Sequence, residues 1–208
     1  MNDDRAQLAA LSRLPSIDWG CDVVVVDLET TDLDPARGAI TEIAVIRCDR
    51  HFRPRPDGTL YLRVDVPSGA LVSDWSREYT AWGRSTPGDW IQRGSRPLQT
   101  ALNQCGPLLA GAQLVAHHVP FDSAWLERAY ASASPDTPGR DWVASGVWRR
   151  DAIDTRQLAS SLAARCVLES RSLAACCRHF SIPLDHHHAL SDARACLALA
   201  RIFLSDHA

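Results

Sequence analysis

The sequence has no excess of positive charge: 22 basic against 25 acidic residues leave a formal net charge of −3 at pH 7. A chain that clings to polyphosphate over its whole surface is thereby excluded. Any such affinity must come from bound cations or a local basic patch. Cysteine never occurs as Cys-x-x-Cys. The seven residues (Cys21, Cys48, Cys105, Cys166, Cys176, Cys177, Cys196) are scattered and odd in number, which argues against a disulfide framework and against a thiolate zinc site. Reduced thiols on apolar faces point to a cytoplasmic protein. No apolar run approaches the length of a membrane span, and no internal repeat or low-complexity tract is present. The first residues, MNDDRAQLAALSRL, carry acids where a signal peptide would carry bases. Residues 1–18 are expected to form a short amphipathic helical extension, and 19–208 a single soluble domain.

What is present reads as one α/β domain around a mixed sheet. Cys21 to Asp27 contains VVVV, the pattern of a strand buried on both faces. Residues 40–48 (ITEIAVIRC) read as a second strand. The basic, turn-rich DRHFRPRPDG follows, and TLYLRVDV (59–66) alternates as a third. Short connections between them predict an antiparallel meander. Residues 67–97 are rich in Gly, Pro, Ser and Arg, include Trp75, Trp82 and Trp90, and have no clean period. They read as a long, partly ordered insertion, of a kind that is often functional. Beyond it, PLQTALNQCGPLL resembles an amphipathic helix interrupted near Gly106-Pro107, and QLVAH (113–117) a short buried strand. A helix begins near Phe121, and 134–150 is loop-like. A short segment around Ile153, helices near 155–165 and 170–180, and a last helix from about Ala189 to Leu204 complete the chain.

Four acids and a histidine stand out. Asp27 and Glu29 are two residues apart on a strand, so their side chains share one face. Two carboxylates together at the end of an apolar strand call for a shared proton or a hard divalent cation; the bland alternative is a strand end with Glu29 in water. Asp122 falls where a buried strand gives way to a helix, a place for a cap or for a site. Asp192 forms with Cys196, Leu199 and Phe203 an i, i+4, i+7, i+11 stripe on the last helix. A carboxylate on that apolar face needs an arginine or a metal. In the run His186-His187-His188, His187 lies five residues before Asp192, and an imidazole there suits proton abstraction near neutral pH.

In order, Asp27-x-Glu29, His117-x-x-x-Phe121-Asp122 and His187-x-Ala189-x-x-Asp192 resemble the three motifs of the DEDDh (DnaQ-like) 3′–5′ exonuclease superfamily. VVVVDLETTDLDP, TEIAVI, AIDTRQLA and SLAACCRHFSIP support the resemblance, which spans about residues 21–204. It implies a ribonuclease H-like mixed β-sheet flanked by α-helices. It also implies two divalent metal ions, Mg²⁺ or Mn²⁺, held by Asp27, Glu29, Asp122 and Asp192, with Asp27 bridging and His187 as general base. Thr30, Thr31 and Leu33 follow the first motif where family members grip the terminal 3′-OH and wedge against its base. His118 replaces the usual Asn of the second motif, so binding of the terminal nucleotide is expected to differ there.

The activity so implied is release of 5′-mononucleotides from single-stranded 3′ ends of DNA or RNA. Two other functions share the constellation: a phosphodiesterase acting on small nucleotides or dinucleotides, and an inactive nucleic-acid-binding module, whose usual mark is loss of an acid. The tryptophans of 67–97 would either stack on unpaired bases or staple the insertion to the body. The basic turn Arg47, Arg50, Arg53 and Arg55 would either guide a strand or simply be solvated. A polymerase or repair partner, or a second copy of the chain, remains open as the binding partner; a membrane does not.

Overall fold

The computed structural model describes residues 21–165 and 167–204; the expected N-terminal helix and Cys166 lie outside the described residues. Five strands form one sheet: β1 (Val23–Thr30), β2 (Ile40–Cys48), β3 (Pro54–Arg63), β4 (Gln113–Ala116) and β5 (Ile153–Asp154). Their order is β3-β2-β1-β4-β5. The first three are antiparallel neighbours, whereas β4 and β5 run parallel to β1. The helices are α1 (Asp74–Tyr79), α2 (Pro87–Gln92), α3 (Leu98–Leu109), α4 (Val119–Ala131), α5 (Arg140–Ser145), α6 (Val147–Arg150), α7 (Thr155–Ala164), α8 (Leu173–Phe180) and α9 (Ala189–Leu204). The expected meander and mixed α/β sheet are therefore present.

β1 explains how the site is placed. Val24, Val26 and Leu28 pack against α3 and α4 through Leu102, Leu109, Trp125 and Leu126. Val23 and Val25 face the other way, against Ala189, Ala193, Cys196 and Ala200 of α9. Four small residues at i, i+4, i+7 and i+11 let that helix lie close over the sheet. The side-chain alternation of a strand then carries Asp27 and Glu29 onto the α9 face. On its far side α9 packs through Leu199 and Phe203 against α7 and α8.

Four expectations need correction. The third strand begins at Pro54, within the stretch read as a turn. β3 is the sheet edge, where Pro54 and Pro56 need donate no hydrogen bond to a further strand. The 67–97 insertion contains two helices rather than partly ordered chain. Each is only six residues long, too short to show a period, and each is started by a side-chain cap: Ser73, and a Thr86–Asp89 capping box. Likewise α5 and α6 occupy the segment read as loop. Finally, α3 runs through Gly106 and Pro107. Its final carbonyls are collected by Arg47, whose Nη1 donates to Leu108 and Ala110 at 2.9 Å each, and this supports the last turn that proline weakens. Arg47 and Arg55 also pair with Asp22, at 2.9 and 2.6 Å. These two arginines of the basic turn thus brace the start of β1, at the opposite end from Glu29.

Trp90 is buried, and its indole N–H donates to the Val64 carbonyl at 3.0 Å. It staples the insertion to the sheet, whereas Trp75 stands exposed.

Gly106 is fixed by a close approach: a Cβ there would lie 1.8 Å from the Pro138 carbonyl oxygen. Gly106→Ala is expected to cost about 1–3 kcal/mol in urea unfolding. A Cβ at Gly69 meets nothing within 4 Å, so Gly69→Ala is expected to leave stability unchanged or raise it by up to about 1 kcal/mol. Equal effects at the two positions would contradict this packing.

Candidate active site

Asp27 and Glu29 project from the end of β1, opposite Ala44 and Glu42 of β2. Asp192 descends on them from α9, and oxygens of Asp27, Glu29 and Asp192 lie within 4.8 Å of one another. Asp122, buried in the first turn of α4, completes the group: its charge is the strongest of the carboxylate influences on Asp27, ahead of Asp192, Glu29 and Glu42.

The helix-cap reading of Asp122 is displaced by another residue. The Val119 N–H, first in α4, is taken by Asp154 Oδ2 at 3.1 Å. Asp154 also caps α7 through Gln157 N–H at 2.9 Å. A single carboxylate from β5 thus starts two helices, and Asp122 is left to the site.

Asp192 is buried, and only one of its oxygens is satisfied. Oδ2 meets His186 Nδ1 at 3.1 Å and accepts from the His187 backbone N–H at 3.2 Å. Oδ1 has no hydrogen-bond partner. A buried carboxylate oxygen without a partner, on a residue clustered with Asp27 and Glu29, has the donor chemistry of a hard-cation site. The residues present therefore fit divalent metal ions such as Mg²⁺ or Mn²⁺.

The histidine run divides three ways. His186 sits on Asp192, and its ring stacks on His187 at 3.7 Å. His188 turns to the sheet edge and stacks on Tyr61 at 4.8 Å. His187 alone approaches the acids of β1, with Nδ1 4.0 Å from Glu29 Oε1. It occupies the left-handed region at φ 63°, an unusual conformation for a non-glycine residue, held here by Asp192. Burial, assisted by His186, lowers its pKa below the usual 6.5, so the ring is neutral at pH 7.

Other motif residues brace the site. His117 bonds Thr155 Oγ1 at 2.9 Å and the Arg171 carbonyl at 3.1 Å. The carbonyl can only accept, so Nε2 carries the proton, and burial holds the ring at a pKa of about 4. His118 is exposed at the start of α4, parallel to Phe121 at 6.4 Å, and makes no capping bond. Thr30 and Thr31 are both buried. Thr30 Oγ1 donates to the Asp32 carbonyl at 2.7 Å, and Thr31 Oγ1 to Leu71 at 2.6 Å while accepting from Ala39 N–H at 2.9 Å. These hydroxyls hold the loop after β1, where strand pairing ends and carbonyls need donors. Both hydroxyls are thus engaged with the backbone of this loop. Leu33, by contrast, is 77% exposed.

Sequence reasoning missed two residues here, Tyr79 and Glu42, and did not single out Trp75. Trp75 (46% exposed) and Tyr79 (44%) lie one turn apart on α1 with ring centroids 5.7 Å apart. The Trp75 ring meets His187 edge-on at 4.6 Å. Nothing in the sequence distinguishes Trp75 from the other tryptophans. Glu42 is wholly buried beside the acids; its only signal was a lone acid inside an apolar strand.

Gathering these carboxylates has an electrostatic cost. Burial first, then neighbouring carboxylates, push Asp27 and Asp122 well above the usual range and Glu29 to about 9. Such groups hold protons more tightly folded than unfolded. Between 4.5, the ordinary value for Glu29, and about 9 the folded state carries the extra proton, so metal-free stability falls as pH rises through that window. In chelator, the thermal midpoint is expected to be higher at about pH 6 than at about pH 8. Mn²⁺ should raise it more at the higher pH, where fewer protons compete. Glu29→Gln should flatten the pH dependence; an unchanged slope would contradict the assignment.

Known proteins carry the same pattern. The family described as RNase_T: Exonuclease matches residues 24–200. The PolC-type DNA polymerase III of Streptococcus suis is 27% identical over 186 residues, 88% of this chain and 11% of that protein. Its counterpart in Thermotoga petrophila is 29% identical over 188 residues, 87% of this chain and again 11% of the polymerase. The chain thus spans about a ninth of the length of these relatives. Among solved structures, E. coli exonuclease I in complex with a dA16 oligonucleotide superposes with a TM-score of 0.70 at 16% identity, over 88% of this chain and 40% of that one. Exonuclease I of Methylocaldum szegediense gives 0.67 at 21%, with the same coverage. These structural likenesses establish the ribonuclease H-like fold. With the family match running from β1 to the body of α9, the chain belongs to the DnaQ-like RNase T exonuclease family.

Proposed function

We propose that this chain is a two-metal 3′–5′ exonuclease that releases 5′-mononucleotides from single-stranded 3′ ends. The observation that carries the proposal is the convergence of Asp27, Glu29 and Asp192 within 4.8 Å, with neutral His187 beside Glu29. Asp27, Glu29, Asp122 and Asp192 would hold two divalent ions, Mg²⁺ or Mn²⁺. When bound, these ions supply Lewis-acid stabilisation of in-line phosphodiester hydrolysis. His187 accepts the proton of the attacking water on a ring nitrogen. Water oxygen bonds to phosphorus, the P–O3′ bond breaks, and O3′ takes a proton from solvent, leaving the shortened strand a 3′-hydroxyl. All four acids of the motifs are present, which disfavours an inactive binding module.

The surroundings favour a strand over a dinucleotide as substrate. Exposed Leu33 in the loop after β1 and the Trp75–Tyr79 pair beside His187 offer apolar faces for unpaired bases. His118 stands exposed at the start of α4, where the second motif that this chain resembles has Asn. Behind the loop after β1, a cleft of about 530 Å³ is lined by Arg37, Leu71, Val72 and Arg77. Neither guanidinium has a partner among the described residues. All 22 basic residues are arginine, whose planar fork suits phosphate oxygens. In a chain of net negative charge, such a local pair is where upstream phosphates would be met.

With a 3′-labelled oligonucleotide and Mg²⁺ or Mn²⁺, the wild type is expected to release labelled mononucleotide and to stop on addition of chelator. Asp27→Ala should abolish release, and His187→Ala should slow it by about 10²–10⁴-fold. Absence of mononucleotide from DNA and RNA alike would overturn the proposal.

A length series separates a strand enzyme from a dinucleotide phosphodiesterase. Trp75→Ala should raise KM for single strands by about 5- to 100-fold, the worth of one lost stacking contact. Arg37→Ala and Arg77→Ala should each reduce the salt slope of oligonucleotide binding by about 0.7. Full activity on dinucleotides with no gain at greater length would favour the small-nucleotide reading.

A further inference from the structure

Glu42 stands directly opposite Glu29 in the β1–β2 register and is 0% exposed. Its Oε2 accepts the backbone N–H of Ala189 at 3.1 Å. Ala189 is the first residue of α9, so this N–H is one of the donors a helix cannot satisfy within itself. Neighbouring donors at that helix start are met locally: Asp192 Oδ2 takes the His187 N–H, and Ser191 Oγ takes the Asp185 N–H at 2.8 Å. The Ala189 N–H is instead held by a residue from the middle of the sheet.

Stability does not account for a carboxylate at this position. Glu42 Oε1 is buried and meets no donor in good hydrogen-bond geometry; the Tyr61 hydroxyl and the Arg63 guanidinium beside it only partly offset a burial that still raises its pKa. A buried carboxylate satisfied at only one oxygen is less stable than an apolar side chain of similar size. What Glu42 does instead is tie α9 to β2 at a fixed height over β1. Asp192 lies three residues further along α9, and His187 two residues before it. Tyr61, stacked on His188 with the Arg63 guanidinium 5.2 Å from its own ring, flanks the same turn.

We propose that Glu42 is a positioning residue: its bond to Ala189 N–H sets Asp192 and His187 against Asp27 and Glu29 in the geometry that metal binding and proton transfer need. The inference builds on the exonuclease reading. It assigns Glu42 no contact with substrate or metal.

Two variants test it. Glu42→Gln keeps a carbonyl oxygen for the Ala189 N–H, whereas Glu42→Met keeps the volume and removes the acceptor. Glu42→Met is expected to have an unchanged or higher melting temperature. Its Mn²⁺ affinity, measured by calorimetry, and its kcat should each fall by about 10–100-fold, as when the outer support of a metal site is removed. KM should hold. Glu42→Gln should stay within about threefold of wild type on every measure. Stability and activity moving in opposite directions is a signature that a merely structural residue does not give.

The proposal is overturned if Glu42→Met keeps wild-type Mn²⁺ affinity and kcat. It is equally overturned if that variant unfolds or melts earlier, or if Glu42→Gln is as impaired as Glu42→Met. The Mn²⁺ titration needs no turnover. If the wild type binds Mn²⁺ but cleaves no oligonucleotide, the exonuclease reading fails while the clamp is still decided by the two variants.

Discussion

Like charges gathered where water is scarce are the constraint on which this structure turns. Asp27, Glu29, Asp122 and Asp192 come from a strand and two helices, and Glu42 adds a fifth carboxylate beside them. The groups acting on Asp27 are these neighbouring acids, and burial compounds the repulsion. A fold tolerates such a locus if protons occupy it or if cations do. The orphaned Asp192 Oδ1 marks where protein donors run out.

The rest of the fold keeps that locus from relaxing. Strand parity fixes Asp27 and Glu29 on the α9 face, because the valines before them have no freedom to turn over between two packed layers. Alanines and a cysteine bring α9 close enough for Asp192 to reach them. Asp154 caps α4 and α7 together, while buried Asp122 faces β1 beside Leu28 and Asp27. The left-handed turn at His187 is held by the same Asp192 whose other oxygen lacks a partner. One carboxylate thus fixes His187 and joins the acidic cluster.

How much of this was legible depended on length and period. The VVVV strand, the antiparallel meander and the sixteen-residue last helix are long enough to print their environment on the sequence. With them came the shared face of Asp27 and Glu29 and the apolar stripe bearing Asp192. Asp122 and His187 were readable only through motif spacing, since a helix start and a loop histidine look alike with or without a site. The short helices α1, α2, α5 and α6 left no periodic trace, because caps and tertiary contacts fix them. That is why Tyr79 went unassigned and Trp75 was not told apart from Trp82 and Trp90. The bonds of Thr30 and Thr31 to loop carbonyls were not legible, because they depend on where the chain turns after β1. Glu42 was hidden for a related reason: from sequence, one acid in a strand resembles a solvent-facing position, and only the sheet's second layer buries it.

The central claim is the proposal that buried Asp27, Glu29 and Asp122 hold protons more tightly than free acids and give them up to divalent cations. Calorimetric titration with Mn²⁺ at neutral pH, repeated in two buffers of different ionisation enthalpy, measures ion stoichiometry and proton release together. The account predicts two ions per chain with net release of protons, both lost in Asp192→Asn. Binding of no Mn²⁺, or binding of ions without proton release, would contradict it.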